Sequence, residues 1–231
     1  MVEVPGMPTP PKPDPGQGAH GSQPLYARWD DLQFFDQMIV AVVAADSAGL
    51  HNAADHLEHY LANNGDPVTL DPDRIMNDEP ALKRHFDKVI TEYIWSVVSS
   101  VGQVSAAATS ASFQTSWYEY TFDDRDWYLA IGSVEAAASG VVRIDRVDAS
   151  AYRIDLDYQC HLADRYNWDG DKTTEIAGFT WTDRELGALH TAGLAKEFDM
   201  SGSSTIKHYS GDLPAMSDLN LPPPSGTGTP R

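Results

Sequence analysis

The chain has 231 residues, of which 42% are hydrophobic, enough to bury a core in one domain or in two small subdomains. Its formal net charge of -18 argues against nucleic-acid binding, because that function needs a basic face to displace the counterions of phosphates. A protein partner, with basic groups to match this charge, fits the composition better.

No apolar run approaches the ~18 to 20 residues that a membrane-spanning helix needs. The first residues also lack the basic and apolar regions of a Sec signal peptide. We therefore expect a cytoplasmic protein, or one secreted by a route that does not use such a signal. The one cysteine, Cys160, excludes an internal disulfide and a CxxC zinc site, and is predicted to be a small buried hydrophobe.

Composition divides the chain into four parts. Residues 1–24 hold prolines among glycines with little to bury, which predicts a disordered tail, flexible or polyproline-like. Residues 25–112 read as a helical part, and residues 113–212 as an antiparallel sheet with a short helix. Residues 213–231 carry three consecutive prolines and end in Ser, Gly, Thr and Pro, which predicts a second disordered tail.

The helical part begins with apolar residues recurring at intervals of three, four and seven, from Leu32 to Leu61. This spacing predicts helices over 30–47 and 49–63, divided at Gly49. Another helix is predicted from Pro80, a residue tolerated in a first turn, and its wide apolar stripe indicates packing on both the first helix and a sheet. The stretch between them is too short and too interrupted by Pro72 to predict a strand.

Strand-forming residues dominate from Phe113 onward, with short connections that imply an antiparallel meander. Thr182 and Glu185 form a capping-box pattern that opens a short helix, and residues 195–212 read as compact but irregular. Helices followed by strands indicate an α+β fold, with N-terminal helices packed on the meander, a short C-terminal helix and disordered Pro-rich tails. The predicted strands are 113–122, 127–137, 141–147, 152–162 and 176–181.

The run from Tyr152 to Lys172 combines the clearest strand with the densest polar cluster. Apolar and polar residues alternate through Leu162, which places His161 on the polar face, and a turn rich in Asp and Asn follows. In an enzymatic interpretation, Asp164 and His161 handle a proton or a metal-bound water while Arg165 or Lys172 steadies an anion. The candidate site residues are His161, Asp164, Arg165, Tyr166, Asn167 and Asp169.

Other interpretations of these residues stay open. Oxygen ligands in the loop suit Ca²⁺ or Mg²⁺, but the same residues can simply cap their own turn, and His161 can be a solvated surface histidine. His51, Asp55 and His59 share one helical face, which suits either a transition metal or the polar side of an amphipathic helix. No GxSxG, P-loop or GxGxxG motif supports a serine hydrolase, an NTPase or a Rossmann dehydrogenase.

Two stretches, Asp164–Lys172 and Leu186–Ser204, together resemble the closing module of actinobacterial polymorphic-toxin-type or secreted-effector proteins, over about residues 30–210. Such proteins commonly leave the cell through specialised secretion systems. A narrower resemblance is to colicin M-type enzymes, which hydrolyse the lipid-linked peptidoglycan precursor and carry Asp-x-Tyr-Asp followed closely by His-Arg. Asp164 and Tyr166 match that motif, whereas Asn167 replaces its second Asp and no His-Arg follows.

The resemblance implies an effector-like or toxin-module-like bacterial domain, with its site in the loop from Asp164 to Asp171. The alternative is a non-enzymatic acidic module that binds a protein or has a structural role, with the loop only closing the sheet. The two differ in what the structure should show. A perturbed pKa at His161 favours the first, whereas burial of Tyr166 and Trp168 in the core, with the carboxylates in water, favours the second.

Overall fold

The computed structural model describes residues 3–13, 15–25, 28–101, 108–148, 151–168, 170, 172–176 and 178–214. Within these ranges, six α-helices and nine strands form an α+β fold, as the sequence predicts. The helices are α1 (Trp29–Ser47), α2 (His51–Leu61), α3 (Pro72–Asp78), α4 (Pro80–Val101), α5 (Arg125–Ala130) and α6 (Asp183–Ala192). The strands are β1 (Val68–Thr69), β2 (Thr109–Gln114), β3 (Tyr118–Thr121), β4 (Ser133–Arg146), β5 (Tyr152–Tyr166), β6 (Thr173–Ile176), β7 (Phe179–Thr182), β8 (Phe198–Ser203) and β9 (Lys207–Asp212).

The helices lie close to their predicted positions. The break between α1 and α2 falls at Gly49, whose φ of +80° is a left-handed conformation that glycine adopts without strain. Helix α4 begins at Pro80 as expected. Helix α3 was not predicted; it forms because the Asp71 side chain accepts hydrogen bonds from two backbone amides of its first turn. No helix within the described ranges is long and apolar enough to cross a membrane.

The main sheet is built around β5. Within the described part of the chain it has seven strands in the order β1-β8-β5-β4-β2, with β3 also paired to β4 and β9 also paired to β5. The pairing is antiparallel except between β1 and β8. A simple meander is therefore only part of the topology, because β8 and β9 return from far along the chain to share one edge of β5. Strands β6 and β7 form a separate hairpin.

Two predictions for the region before β5 are wrong. The strand expected from Trp127 starts as helix α5, because the Asp124 side chain accepts hydrogen bonds from the amides of Asp126 and Trp127 and caps it. Gly140 does not separate two strands but lies within β4, where a Cβ atom would come within 2.7 Å of the Asp157 carbonyl oxygen. Close approach of neighbouring backbone, rather than a turn, explains this glycine.

Further strand boundaries also differ from the prediction. The expected strand over 113–122 is two strands, β2 and β3, both paired to β4. The expected strand over 176–181 is the β6–β7 hairpin. Residues 195–212, predicted to be irregular, contain β8 and β9, which are ordered by pairing with β5. Their short, glycine- and serine-containing sequences give a weak local strand signal, so the partner strand decides their conformation.

The two faces of the sheet differ in what covers them. Alternate residues of β5 from Ile154 to Leu162 are buried in the core, together with Phe86 and Ile90 of α4. We call this the inner face. On the opposite, outer face lies the N-terminal segment of residues 3–13, for which composition predicts a flexible or polyproline-like tail. It is held there because sheet side chains donate hydrogen bonds to its backbone carbonyls.

Candidate functional site

Asp164 lies where two cavities meet at one end of β5. One cavity, the strap cleft, has a volume of about 570 Å³ and is lined by the sheet and by residues 10–13 of the N-terminal segment. The other, the loop cavity, has a volume of about 270 Å³ and is lined by residues 128–133 and by the residues that follow β5. Both cavities are lined by Glu119, Asp164, Arg165 and Asn167.

The environment of Asp164 favours a protonated carboxyl group. Burial, with the nearby carboxylates of Glu135 and Glu119 contributing further, raises the pKa of Asp164 to about 7. A hydrogen bond with the Arg165 backbone acts in the opposite direction without reversing the shift. At neutral pH the side chain therefore exists in both protonation states, which is the condition for general acid or base catalysis.

Two hydrogen-bond donors beside Asp164 have no acceptor among the described residues. They are Nε of Arg165 and Nδ2 of Asn167, both buried. The remaining guanidinium nitrogens of Arg165 are engaged, at 3.0 Å from Oδ1 of Asp199 and 3.3 Å from Oε2 of Glu197. Buried donors normally have partners, so these two nitrogens are unsatisfied polar groups of residues that line both cavities.

His161 is not a solvated surface residue. It is fully buried, with Nε2 at 2.8 Å from Oγ of Ser139 and Nδ1 at 2.8 Å from Oγ of Ser203. Burial lowers the pKa of His161 to about 4, so the ring is neutral at physiological pH. Both ring nitrogens contact serine hydroxyls, and the expected pairing of His161 with Asp164 is therefore not formed.

Tyr166 belongs to the core as well as to the site. It is 5% exposed, and its ring stacks on Phe198 with centroids 4.8 Å apart and an angle of 11° between the planes. Trp168 contacts the same ring edge to face at 5.4 Å. Burial raises the pKa of Tyr166, which keeps the phenol protonated. Tyr166 also lines the loop cavity, so its ring forms part of the wall.

The loop after β5 is only partly within the described residues. Asp169, a predicted site residue, and Asp171 lie outside them. Of the four oxygen ligands that the sequence offers to a calcium or magnesium ion, the structure therefore describes only Asp164 and Asn167. Lys172, the cation expected to steady an anion, lines the loop cavity together with Asp183.

The predicted histidine cluster of α2 does not converge. His51 contacts Asp46 at 2.7 Å, and His59 Nε2 lies 2.8 Å from the carbonyl oxygen of Asp66, to which it can only donate. Across the described ranges, no group of three His, Cys, Asp or Glu side chains is placed to hold a metal ion. Cys160 is buried, as predicted, and burial raises the pKa of its thiol, which makes it unreactive.

Several residues of the site were not predicted. Glu119 and Glu135 face each other in the β3–β4 pairing, and Ala163 lies opposite Glu135 on β5. Lys12 reaches the strap cleft from the N-terminal segment, and Asp199 from β8. None of these residues has a motif of its own. Only the strand register and the path of the N-terminal segment bring them to Asp164.

Comparison with known proteins gives little further information. No protein-family model matches the chain, and no curated protein matches it significantly. Two solved structures were found, the truncated and the complete bacteriocin syringacin M from Pseudomonas syringae pv. tomato DC3000.

The similarity to these structures is weak. The TM-score is 0.36 for both, with 16% sequence identity to the truncated form and 17% to the complete form. The match covers 70% of this chain, but spans only 60% of the truncated and 52% of the complete bacteriocin. At this TM-score the similarity supports no conclusion about a shared fold or activity.

Proposed function

We propose that this chain is a toxin-type or effector-type bacterial module that hydrolyses its substrate at the cleft around Asp164. The observation that carries the proposal is the desolvated Asp164 carboxyl group, whose pKa is raised to about 7 at the point where two cavities meet. A carboxyl group that titrates near neutrality can take a proton from water and return it to a leaving group.

The neighbouring donors define the substrate class that fits the cleft. Arg165 Nε and Asn167 Nδ2 have no acceptor among the described residues, and a carbonyl or phosphoryl oxygen would satisfy them. Donors placed beside a reacting oxygen also stabilise the negative charge that develops there during hydrolysis. The proposed substrate is therefore an ester, amide or phosphoester, with its oxygen directed at Arg165 and Asn167 and its leaving group near Asp164.

The resemblance to colicin M-type enzymes suggests a lipid-linked envelope precursor among such substrates. Asp164, which matches the first residue of that motif, lines both cavities, and this supports a role for its carboxyl group in the proposal. Tyr166 is buried in the core and Asn167 contributes an amide instead of a carboxylate, so the proposed chemistry depends on one carboxyl group rather than two.

Growth of a bacterial host that expresses the chain tests both the proposed function and the compartment in which the chain acts. The complete chain is expressed once in the cytoplasm and once with an export signal, beside Asp164→Asn and a matched control, Asp155→Asn. Asp155 lies on the same strand but is exposed. We expect the wild-type chain and the control to arrest growth in one compartment, and Asp164→Asn to be at least about 100-fold less toxic, the usual effect of losing a general acid or base. Toxicity that survives Asp164→Asn would contradict hydrolysis at this site.

A second candidate function is the non-enzymatic protein-binding module. It is favoured by an exposed apolar stripe on α1, whose residues recur on one helical face. The stripe consists of Trp29 (71% exposed), Leu32 (42%), Ile39 (48%), Val40 (55%) and Val43 (64%). In the same growth experiment, Ile39→Ser with Val43→Ser distinguishes the two functions. Loss of the effect in this variant, with the effect kept in Asp164→Asn, would identify binding rather than catalysis.

A further inference from the structure

The N-terminal segment of residues 3–13, here called the strap, is held on the outer face by side chains of the sheet. Ser139 Oγ donates to the Pro5 carbonyl oxygen at 2.5 Å, and Gln114 Nε2 donates to that of Gly6 at 2.8 Å. Trp117 Nε1 donates to the Thr9 carbonyl oxygen at 2.9 Å. Two strands and the β2–β3 connection therefore contact the strap backbone at Pro5, Gly6 and Thr9.

The sequence of the strap explains this mode of contact. Its second half reads Pro8-Thr-Pro-Pro-Lys-Pro13, in which the prolines lack an N–H group and favour an extended polyproline-type backbone. Such a segment cannot add a regular strand to the sheet, but it presents free carbonyl oxygens to side-chain donors. An indole N–H that donates to a carbonyl of a proline-rich segment is a feature of grooves that bind such segments.

The strap and the strap cleft carry opposite charges where they meet. The cleft is lined by the carboxylates of Glu119, Glu135 and Asp164, and the strap brings Lys12 to it. Pro10, Pro11 and Pro13 line the same cleft. The strap thus covers one side of the space next to Asp164, and it also bonds to Ser139, whose hydroxyl contacts His161.

The strap is attached weakly enough to leave. Residues 3–13 belong to no helix or strand, and the hydrogen bonds given above come from side chains rather than from a β-ladder. Most strap residues are half-buried or exposed. Segments with few buried apolar contacts open at much lower free energy than the core of a protein.

We propose that the outer face is a binding groove for a lysine-containing, proline-rich segment, and that the strap fills this groove as an intramolecular ligand that closes the strap cleft, one of the two cavities that Asp164 lines. Substrate enters the strap cleft when the strap leaves. That the covered cleft is a catalytic site rests on the proposed function. The docking of the strap does not depend on that function and can be measured by itself.

Contact quenching measures docking in the complete chain. A bimane label is attached at Thr9→Cys; Thr9 is exposed, and the native Cys160 is 1% exposed and therefore silent. Trp117 should quench the label, so its fluorescence should be low and should rise in the Trp117→Phe chain. A synthetic peptide of residues 3–13 should restore fluorescence at millimolar concentration, the range of effective concentration for a short tether, whereas a scrambled peptide should not.

Carbodiimide labelling of carboxyl groups, read by peptide mass spectrometry, measures access to Asp164 without a fluorophore. We expect Asp164 to react about fivefold faster in Trp117→Phe and in Gln114→Leu than in wild type, the population shift produced by losing one hydrogen bond. The exposed Asp155 is the internal control and should react at an unchanged rate. Circular dichroism verifies that each variant is folded.

The outcomes distinguish failure of the strap proposal from failure of the proposed function. An equally bright label in wild-type and Trp117→Phe chains, or an unchanged Asp164 rate in both strap variants, overturns the strap proposal. Quenching, displacement by the peptide and faster labelling support it even if the chain never arrests growth, in which case the proposed function alone fails. Stronger growth arrest by Gln114→Leu than by wild type supports both.

Discussion

At the scale of single residues, residues close in sequence can have different surroundings, because successive side chains of a strand point to opposite faces of the sheet. His161 and Asp164 are three residues apart on β5, so alternation directs them to opposite sides of the sheet. His161 becomes a buried neutral residue that connects Ser139 and Ser203. Asp164 becomes a desolvated carboxyl group at a cavity. Their short sequence separation suggested a catalytic pair, which this geometry does not form.

The raised pKa of Asp164 predicts how stability depends on pH. Between pH 3.8 and about 7 the folded chain keeps a proton on Asp164 that the unfolded chain releases, so this group lowers stability as pH rises through that range. Asp164→Asn removes the effect. We expect the Tm of the variant to exceed that of wild type by about 4 °C or more at pH 8, and by much less at pH 4.5.

Thermal melts of wild type, Asp164→Asn and Asp155→Asn at pH 4.5, 6 and 8 check this expectation. The exposed Asp155 serves as the matched carboxylate, and its variant should differ from wild type by a small amount that hardly changes with pH. If the Tm difference for Asp164→Asn is the same at all three pH values, the carboxyl group is not protonated in the folded chain.

At the scale of elements, those with strong local signals were predicted and those that depend on partners were not. Helix α6 begins at the predicted capping box, in which the Thr182 hydroxyl accepts from the Glu185 amide and the Glu185 carboxylate accepts from the Thr182 amide. Strands β8 and β9 gave no comparable signal, because their order comes from pairing with β5.

The capping box predicts the effect of a single substitution on stability. Thr182→Ala removes the acceptor for the Glu185 amide, and should lower the free energy of unfolding by about 1 kcal/mol, the typical value for an N-cap. Thr182→Ser keeps the hydroxyl and should retain most of that stability. Urea unfolding of the three chains provides the measurement. A serine variant as unstable as the alanine variant would show that the threonine methyl group, not the cap, matters.

At the scale of the whole molecule, the sheet separates an apolar side from a polar one. The inner face packs against α4 in the core, and the outer face binds the strap. The net charge of -18 adds a repulsion that every element shares and that opposes compaction. The acidic lining of the strap cleft concentrates this charge beside Asp164 and contributes to its raised pKa.

Screening of this repulsion predicts that salt stabilises the chain. The screening length falls from about 30 Å at 10 mM to about 3 Å at 1 M, so repulsion between distant carboxylates is removed while short buried contacts persist. We expect the Tm to rise between these concentrations, equally in sodium chloride and potassium chloride. A falling Tm would mean that attractive ion pairs, such as Arg165 with Asp199, outweigh the net charge.

The sequence by itself determined the local parts of this protein: α1, α2, α4, α6, the alternation of β5 and the burial of Cys160. Each depends on periodicity or capping within a few residues, which short-range geometry specifies. Only the tertiary structure decided that β8 and β9 pair with β5, that the strap bonds to Ser139 beside His161, and that Glu119 and Glu135 lie near Asp164. These features depend on strand register and desolvation, which arise from residues far apart in the chain and are therefore invisible to any local pattern.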